Sequence, residues 1–177
     1  ELYNFVDNHD VDRVASKLGD PALLYPLYLL LFTMPGVPSI YYGSEWGIEG
    51  MKGTWSDAPL RPSLDLLNIS SQAPSPELVK SISSLAAIRH NSDALKTGSY
   101  QPLKVSGQQL AFMRSSEDEE VLVLINSASD WIEMDLNLPL EGFLLQDMLD
   151  PGYKIPIIKN DLRVDIPPTW GRILRLD

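Results

Sequence analysis

Apolar residues change their rhythm about halfway along the chain. In the first half they come in short runs and one helical stripe. Residues 2–6 (LYNFV) read as a buried strand that ends in a burst of polar groups. Residues 23–34 are almost wholly apolar and predict a buried helix, with Asp20 as N-cap and Pro21 at the first helical position. Pro26 must kink that helix or mark its true start, because an internal proline loses a hydrogen bond and clashes with the preceding turn. Pro35 and Gly36 end it. Residues 37–42 (VPSIYY) predict a second short buried strand, closed by Gly43. A loop rich in Gly, Ser and Pro runs on to about residue 74, and structureless loops of that length are usually functional or disordered. Ser75, Pro76 and Glu77 open a helix whose Leu78, Ile82 and Leu85 share one face, with Ile88 beside it. Strand, helix, strand, helix describes βα units. Two such units cannot close a core alone, since a parallel sheet needs more strands and cover on both faces.

From residue 96 the period drops to two. Residues 132–138 (IEMDLNL) and 162–166 (LRVDI) alternate strictly, while 121–125 (VLVLI) is apolar throughout, as expected of a central strand. Residues 109–114, 143–149, 153–158 and 172–176 supply further strands. The acidic run 117–120 reads as a solvated hairpin loop. Short strands with turns between them predict an antiparallel β-sandwich. The chain thus divides into an α/β part, 1–95, and an all-β part, 96–177.

Charge narrows the partners. Acidic residues outnumber basic ones 24 to 14, for a net charge of −10. Such a surface repels phosphate backbones and anionic lipid, which argues against nucleic acid and membranes and leaves neutral small ligands open. With no cysteine there is no disulfide and no thiolate nucleophile. The run 23–34 is too short to span a bilayer, and no signal peptide is visible. The chain starts at Glu1 and enters a motif almost at once, which predicts a piece cut from something longer.

That motif is FVDNHDVDR, residues 5–13. An Asx-rich turn explains it most simply, because Asp and Asn bond their own backbone. A metal site through Asp7, His9, Asp10 and Asp12 ranks lowest, since neighbours in an extended segment point to opposite faces. A sugar site is the third reading: Asp10 and His9 offer a carboxylate and a planar polar group, and Arg13 could hold an acid or a sugar hydroxyl.

The segment FVDNHD resembles the F-x-x-N-H-D segment that ends barrel strand seven in the α-amylase family of glycoside hydrolases. Residues 36–47 (GVPSIYYGSEWG) resemble that family's strand-eight segment, and Asp57 with Arg61 and Pro62 resembles the loop that follows. The resemblance implies the last quarter of a (β/α)8 TIM barrel, strands seven and eight with their helices, followed by the family's C-terminal sandwich. In such barrels functional residues sit where strands leave the core, which would explain the polar burst. It implies that Asp10 is the carboxylate stabilising the transition state and that His9 binds the same sugar ring. Asn8, Arg13 and Trp46 follow as candidate substrate-binding residues. Trp46, Trp55 and Tyr42 could stack on sugars, though ordinary packing outranks stacking for each. Glu45 is expected to anchor its loop, through Arg61.

The implied activity is retaining hydrolysis of α-1,4-glucans. The run 9–18 (HDVDRVASKL) and the segment around residue 40 resemble the cyclomaltodextrinase, neopullulanase and maltogenic amylase group, which acts on short α-glucans and cyclodextrins. That group points to the cytoplasm rather than secretion, and allows a homodimer. No residue here matches the nucleophile or general acid, so the missing N-terminal part of the same enzyme is the first expected partner and the chain alone is expected to be inactive. No cofactor is implied; calcium is open in a longer parent but unsupported here. The competing readings are a non-catalytic binding member of the fold and a sucrose- or trehalose-directed enzyme.

Overall fold

The computed structural model describes residues 2–138, 140 and 144–176. Strand β1 (Tyr3–Phe5) pairs in parallel with β2 (Val37–Ser39). Helix α1 (Leu24–Thr33) lies between them in sequence and completes a βαβ unit. Asp20 caps as expected, its side chain accepting from Ala22 N–H at 2.9 Å. Pro26 falls in the first turn of α1, where its missing N–H costs nothing, so it marks the start and not a kink.

Both strands are shorter and more exposed than their composition suggests. Leu2, Tyr3, Phe5 and Val37 all present large apolar surface. Among the described residues β1 and β2 have only each other for ladder partners, so their outer edges are unpaired. The backbone leaves β2 after Ser39, so Tyr41 and Tyr42 belong to a turn. The long loop holds two single 3-10 turns and the short helix α2 (Ile69–Gln72).

Helix α3 (Leu78–His90) buries Leu78, Ile82 and Leu85, the predicted face, and also Arg89. A further helix, α4 (Asp93–Thr97), follows, with Ser92 as N-cap accepting from Leu95 N–H. The all-strand reading from residue 96 therefore misses its last turn. Glu119, in the predicted solvated hairpin loop, instead accepts from Ser92 Oγ and from Ala94 N–H at the start of α4.

The remaining strands are β3 (Ser99–Ser106), β4 (Gln109–Ser115), β5 (Glu120–Asn126), β6 (Ile132–Asn137), β7 (Leu144–Asp147), β8 (Lys154–Pro156), β9 (Asp161–Ile166) and β10 (Trp170–Leu176). Phe143, predicted to begin β7, lies outside the described residues. Six strands form one antiparallel sheet in the order β3-β4-β5-β10-β7-β8, and β6 pairs with β9 across it.

The sheet has a core on each face. Phe112, Val121, Val123, Ile125 and Ile173 pack against Leu29, Phe32, Ile82 and Leu85 of α1 and α3. Ala111, Met113, Leu122, Leu124 and Leu174 pack against Met134, Leu136, Leu162, Val164 and Ile166 of β6 and β9. The unbroken apolar run of β5 follows directly: alternate residues enter different cores. Burying one such side chain is worth about 1.5–3 kcal/mol. The two βα units that cannot close a core alone close it against this sheet.

Candidate functional site

The polar burst sits where β1 ends. Asp7 is buried and folds the chain back: it accepts from Val14 N–H at 2.9 Å, and Ser44 Oγ lies 2.8 and 2.9 Å from its two oxygens. That ties the loop after β1 to the loop after β2. Gly43 makes the second loop feasible. Its φ of +87° favours glycine, and a Cβ there would sit 3.2 Å from Arg13 Nη1.

Arg13, predicted to reach substrate, is fully enclosed. It donates to the carbonyls of Tyr42 and Leu60, both at 2.9 Å, and to Ser44 Oγ at 3.2 Å. Its guanidinium lies over the rings of Tyr41 and Tyr42, at 4.7 and 5.3 Å. Arginine suits this role because its planar fork serves several acceptors at once. Arg13 is thus a clamp beneath the site. Tyr28 is buried nearby, and burial together with the Asp7 and Glu45 carboxylates pushes its hydroxyl well above the usual range.

Above the clamp the chain emerges. Asn8 Oδ1 accepts from Asp10 N–H at 2.8 Å, so the predicted Asx turn is present and sets the direction of Asp10. His9 Nε2 lies 3.1 Å from Asp10 Oδ2, and both side chains are about three-fifths exposed. Arg61 Nη2 stands 3.4 Å from Asp10 Oδ1, from Asp57 Oδ2 and from the His9 carbonyl. Lys52 Nζ donates to the Asp10 carbonyl at 3.2 Å and lies 3.9 Å from Asp57 Oδ1. Lys52 N–H also donates to Asp12, and with Lys17 it holds the Asp12 carboxyl below its usual range.

Asn8, His9 and Asp10 therefore come together, and Arg61 joins them from the loop. The expected Glu45–Arg61 anchor is absent. Glu45 Oε2 is buried without a hydrogen-bond partner among the described residues, and Arg61 is engaged with Asp10 and Asp57 instead. Proximity explains the choice, since Asp57 lies one helical turn from Arg61. Trp46 is half-buried in the 3-10 turn Ser44–Trp46, and its carbonyl accepts from Ser75 N–H. Tyr42 is 43% exposed, edge-on to Tyr41, with its hydroxyl donating to the Pro62 carbonyl. Trp55 does not pack: it is 96% exposed. Among the described residues no three His, Asp or Glu side chains group closely enough to hold a metal ion.

The arrangement offers a carboxylate and an imidazole side by side on an open ledge, with two cations behind. Comparisons with known proteins give the family. Residues 1–97 match the family described as alpha amylase, catalytic domain, and residues 100–173 match maltogenic amylase, C-terminal domain. The cyclomaltodextrinase of Geobacillus thermopakistaniensis is 26% identical over 97% of this chain and 28% of its own length. The maltogenic alpha-amylase of Bacillus acidopullulyticus is 26% identical over 92% of this chain and 28% of its own. The chain therefore spans less than a third of these relatives. The alpha-amylase of Geobacillus thermoleovorans, solved with acarbose, superposes with a TM-score of 0.85 at 22% identity, covering 99% of this chain and 39% of that one. At that identity the superposition speaks for fold alone: the end of a catalytic domain followed by an antiparallel β-sheet domain. The catalytic-domain match takes in more than half of the chain, and the protein belongs to the alpha-amylase family.

Proposed function

We propose that this chain forms one wall of a retaining α-glucan hydrolase site. In that site Asp10 stabilises the transition state and His9 and Asn8 orient the sugar. The carrying observation is the His9–Asp10 pair, 3.1 Å apart and exposed at the carboxyl end of β1. That is the edge at which barrel enzymes present their chemistry. An ionised carboxylate beside a pyranose lowers the energy of positive charge developing at the anomeric carbon. An imidazole N–H next to it donates to a sugar hydroxyl. Arg61, held by Asp57, aims the carboxylate.

A retaining mechanism needs two more groups, a nucleophile and a general acid about 5–5.5 Å apart. In our reading they come from a part of the enzyme outside these 177 residues. The relatives' names, cyclomaltodextrinase and maltogenic alpha-amylase, support short α-1,4-glucans and cyclodextrins as substrates. The acarbose complex of the G. thermoleovorans enzyme supports the same ligand class.

The test is a full-length parent carrying Asp10→Asn, assayed for glucose and maltose release from maltotriose and a cyclodextrin. A loss of about a thousand-fold, or about 4 kcal/mol of barrier, is expected with the fold intact. Activity close to that of the wild type would make Asp10 a turn residue and nothing more. A panel including sucrose and trehalose separates the α-glucan reading from its nearest competitor.

A further inference from the structure

Trp55 is the most exposed large apolar side chain among the described residues, at 96%. Its indole meets no other ring, and its N–H has no partner among the described residues. Tryptophan is highly buried on average, so an indole bare on both faces calls for an explanation. Ordinary packing, the first expectation for this residue, does not supply it.

The backbone around Trp55 is held in place. Gly53 N–H donates to the Ser56 carbonyl at 3.2 Å, closing a tight loop with Thr54 and Trp55 at its tip. A Cβ at Gly53 would stand 2.8 Å from that carbonyl, so the closure needs glycine. Ser56 Oγ accepts from Ala58 N–H at 3.1 Å on the far side. The loop is pinned to the ledge at both ends. Before it, Lys52 N–H donates to Asp12 at 2.7 Å and Lys52 Nζ to the Asp10 carbonyl at 3.2 Å. After it, Arg61 bridges Asp57 and Asp10. Trp55 is two residues from Asp57 and three from Lys52, so its Cα lies within about 7 Å and about 11 Å of theirs.

A bare indole on a fixed loop suits a flat apolar surface, and the C–H face of a pyranose is one. A ring bound at His9 and Asp10 would bring neighbouring rings of the same chain past this loop. A protein surface seated on Trp55 would instead lie against the ledge.

We infer that Trp55 is a specificity-determining residue: it stacks on a glucose unit near the one held at Asp10 and makes the enzyme favour longer α-glucans over maltose. The inference rests on the proposed function.

The test is kcat/KM of the full-length parent on maltose, maltotriose, maltotetraose and maltopentaose. Wild type, Trp55→Ala and Trp55→Phe are compared, with urea unfolding of each. Trp55→Ala is expected to lose about tenfold on maltopentaose, mostly in KM, and much less on maltose. Trp55→Phe keeps a ring and should keep most of the preference. Equal loss on every length, or none on any, overturns the assignment. So does a lower urea midpoint with the length profile preserved, which would put Trp55 against another part of the enzyme. Asp10→Asn judges the ledge separately, so a flat Trp55→Ala profile in an active parent sinks this inference alone. A wild-type parent inactive on every length sinks the proposed function and this inference with it.

Discussion

Arg61 Nη2 stands 3.4 Å from Asp10 Oδ1, bridging a residue at the end of β1 to a loop 51 positions later. The same nitrogen lies 3.4 Å from Asp57 Oδ2. Arg61 is thus held from one side and aims Asp10 from the other. The pair is half-exposed, so its contribution to folding is small, about 0–1 kcal/mol. Its value lies in orientation.

Arg61→Ala is therefore expected to separate activity from stability. In a full-length parent, activity on maltotriose should fall about a hundredfold, the scale on which a misplaced group costs rate. The urea midpoint should hardly move. A large loss of stability with activity per folded molecule preserved would reverse this assignment.

Arg13 should behave in the opposite way. Arg13→Met removes donors to Tyr42, Ser44 and Leu60 in a fully buried setting. Each buried acceptor left unpaired costs about 1–3 kcal/mol. Denaturant unfolding of the variant should show that loss. An unchanged midpoint would return Arg13 to the list of surface binding residues.

A second clamp joins the two halves. Arg114, on β4, donates to the Thr33 carbonyl at the end of α1, at 2.5 Å, and to Ser99 and Gly98 at 3.0 Å. Arg89 donates to Phe32, Met34 and Gly36 around the same helix end, where cations are favoured. No acid pairs with either among the described residues. Arg114→Met is expected to destabilise the chain by about 3 kcal/mol. Monitoring unfolding by tryptophan fluorescence checks it, and a loss below about 0.5 kcal/mol would mean the carbonyls find other donors.

Asp147 gives a pH signature. It is buried against Arg172, 2.9 Å away, and burial raises its carboxyl above the usual 3.8 despite that partner. A raised acid binds its proton more tightly in the folded state. Its contribution to stability is full below pH 3.8 and declines as pH rises through the folded value. Stability measured in urea from pH 3.5 upward should carry this falling component in the wild type, and Asp147→Asn should lack it. Parallel pH curves for the two proteins would refute it.

Much of this was legible in the residues. The alternation in β6 and β9 and the apolar run of β5 gave their positions because each side chain's burial follows the period of the strand. FVDNHD placed His9 and Asp10 at a strand end because the change from apolar to polar marks departure from the core. Strand β3 left no such signal: most of its residues are exposed, and its register slips between Pro102 and Lys104. The burial of Arg13, Arg89 and Arg114 was also hidden. Arginine is ordinarily a surface residue, and only tertiary contacts show carbonyls gathered around it.

The alternation of β5 has one more consequence. Val123 faces α1 and α3, and Leu122 faces β6 and β9, yet they are neighbours on one backbone. The two cores therefore share one strand and cannot part without unpairing it. The loop that carries His9 and Asp10 is thereby tied, through α1 and α3, to the same sheet that carries the outer strands.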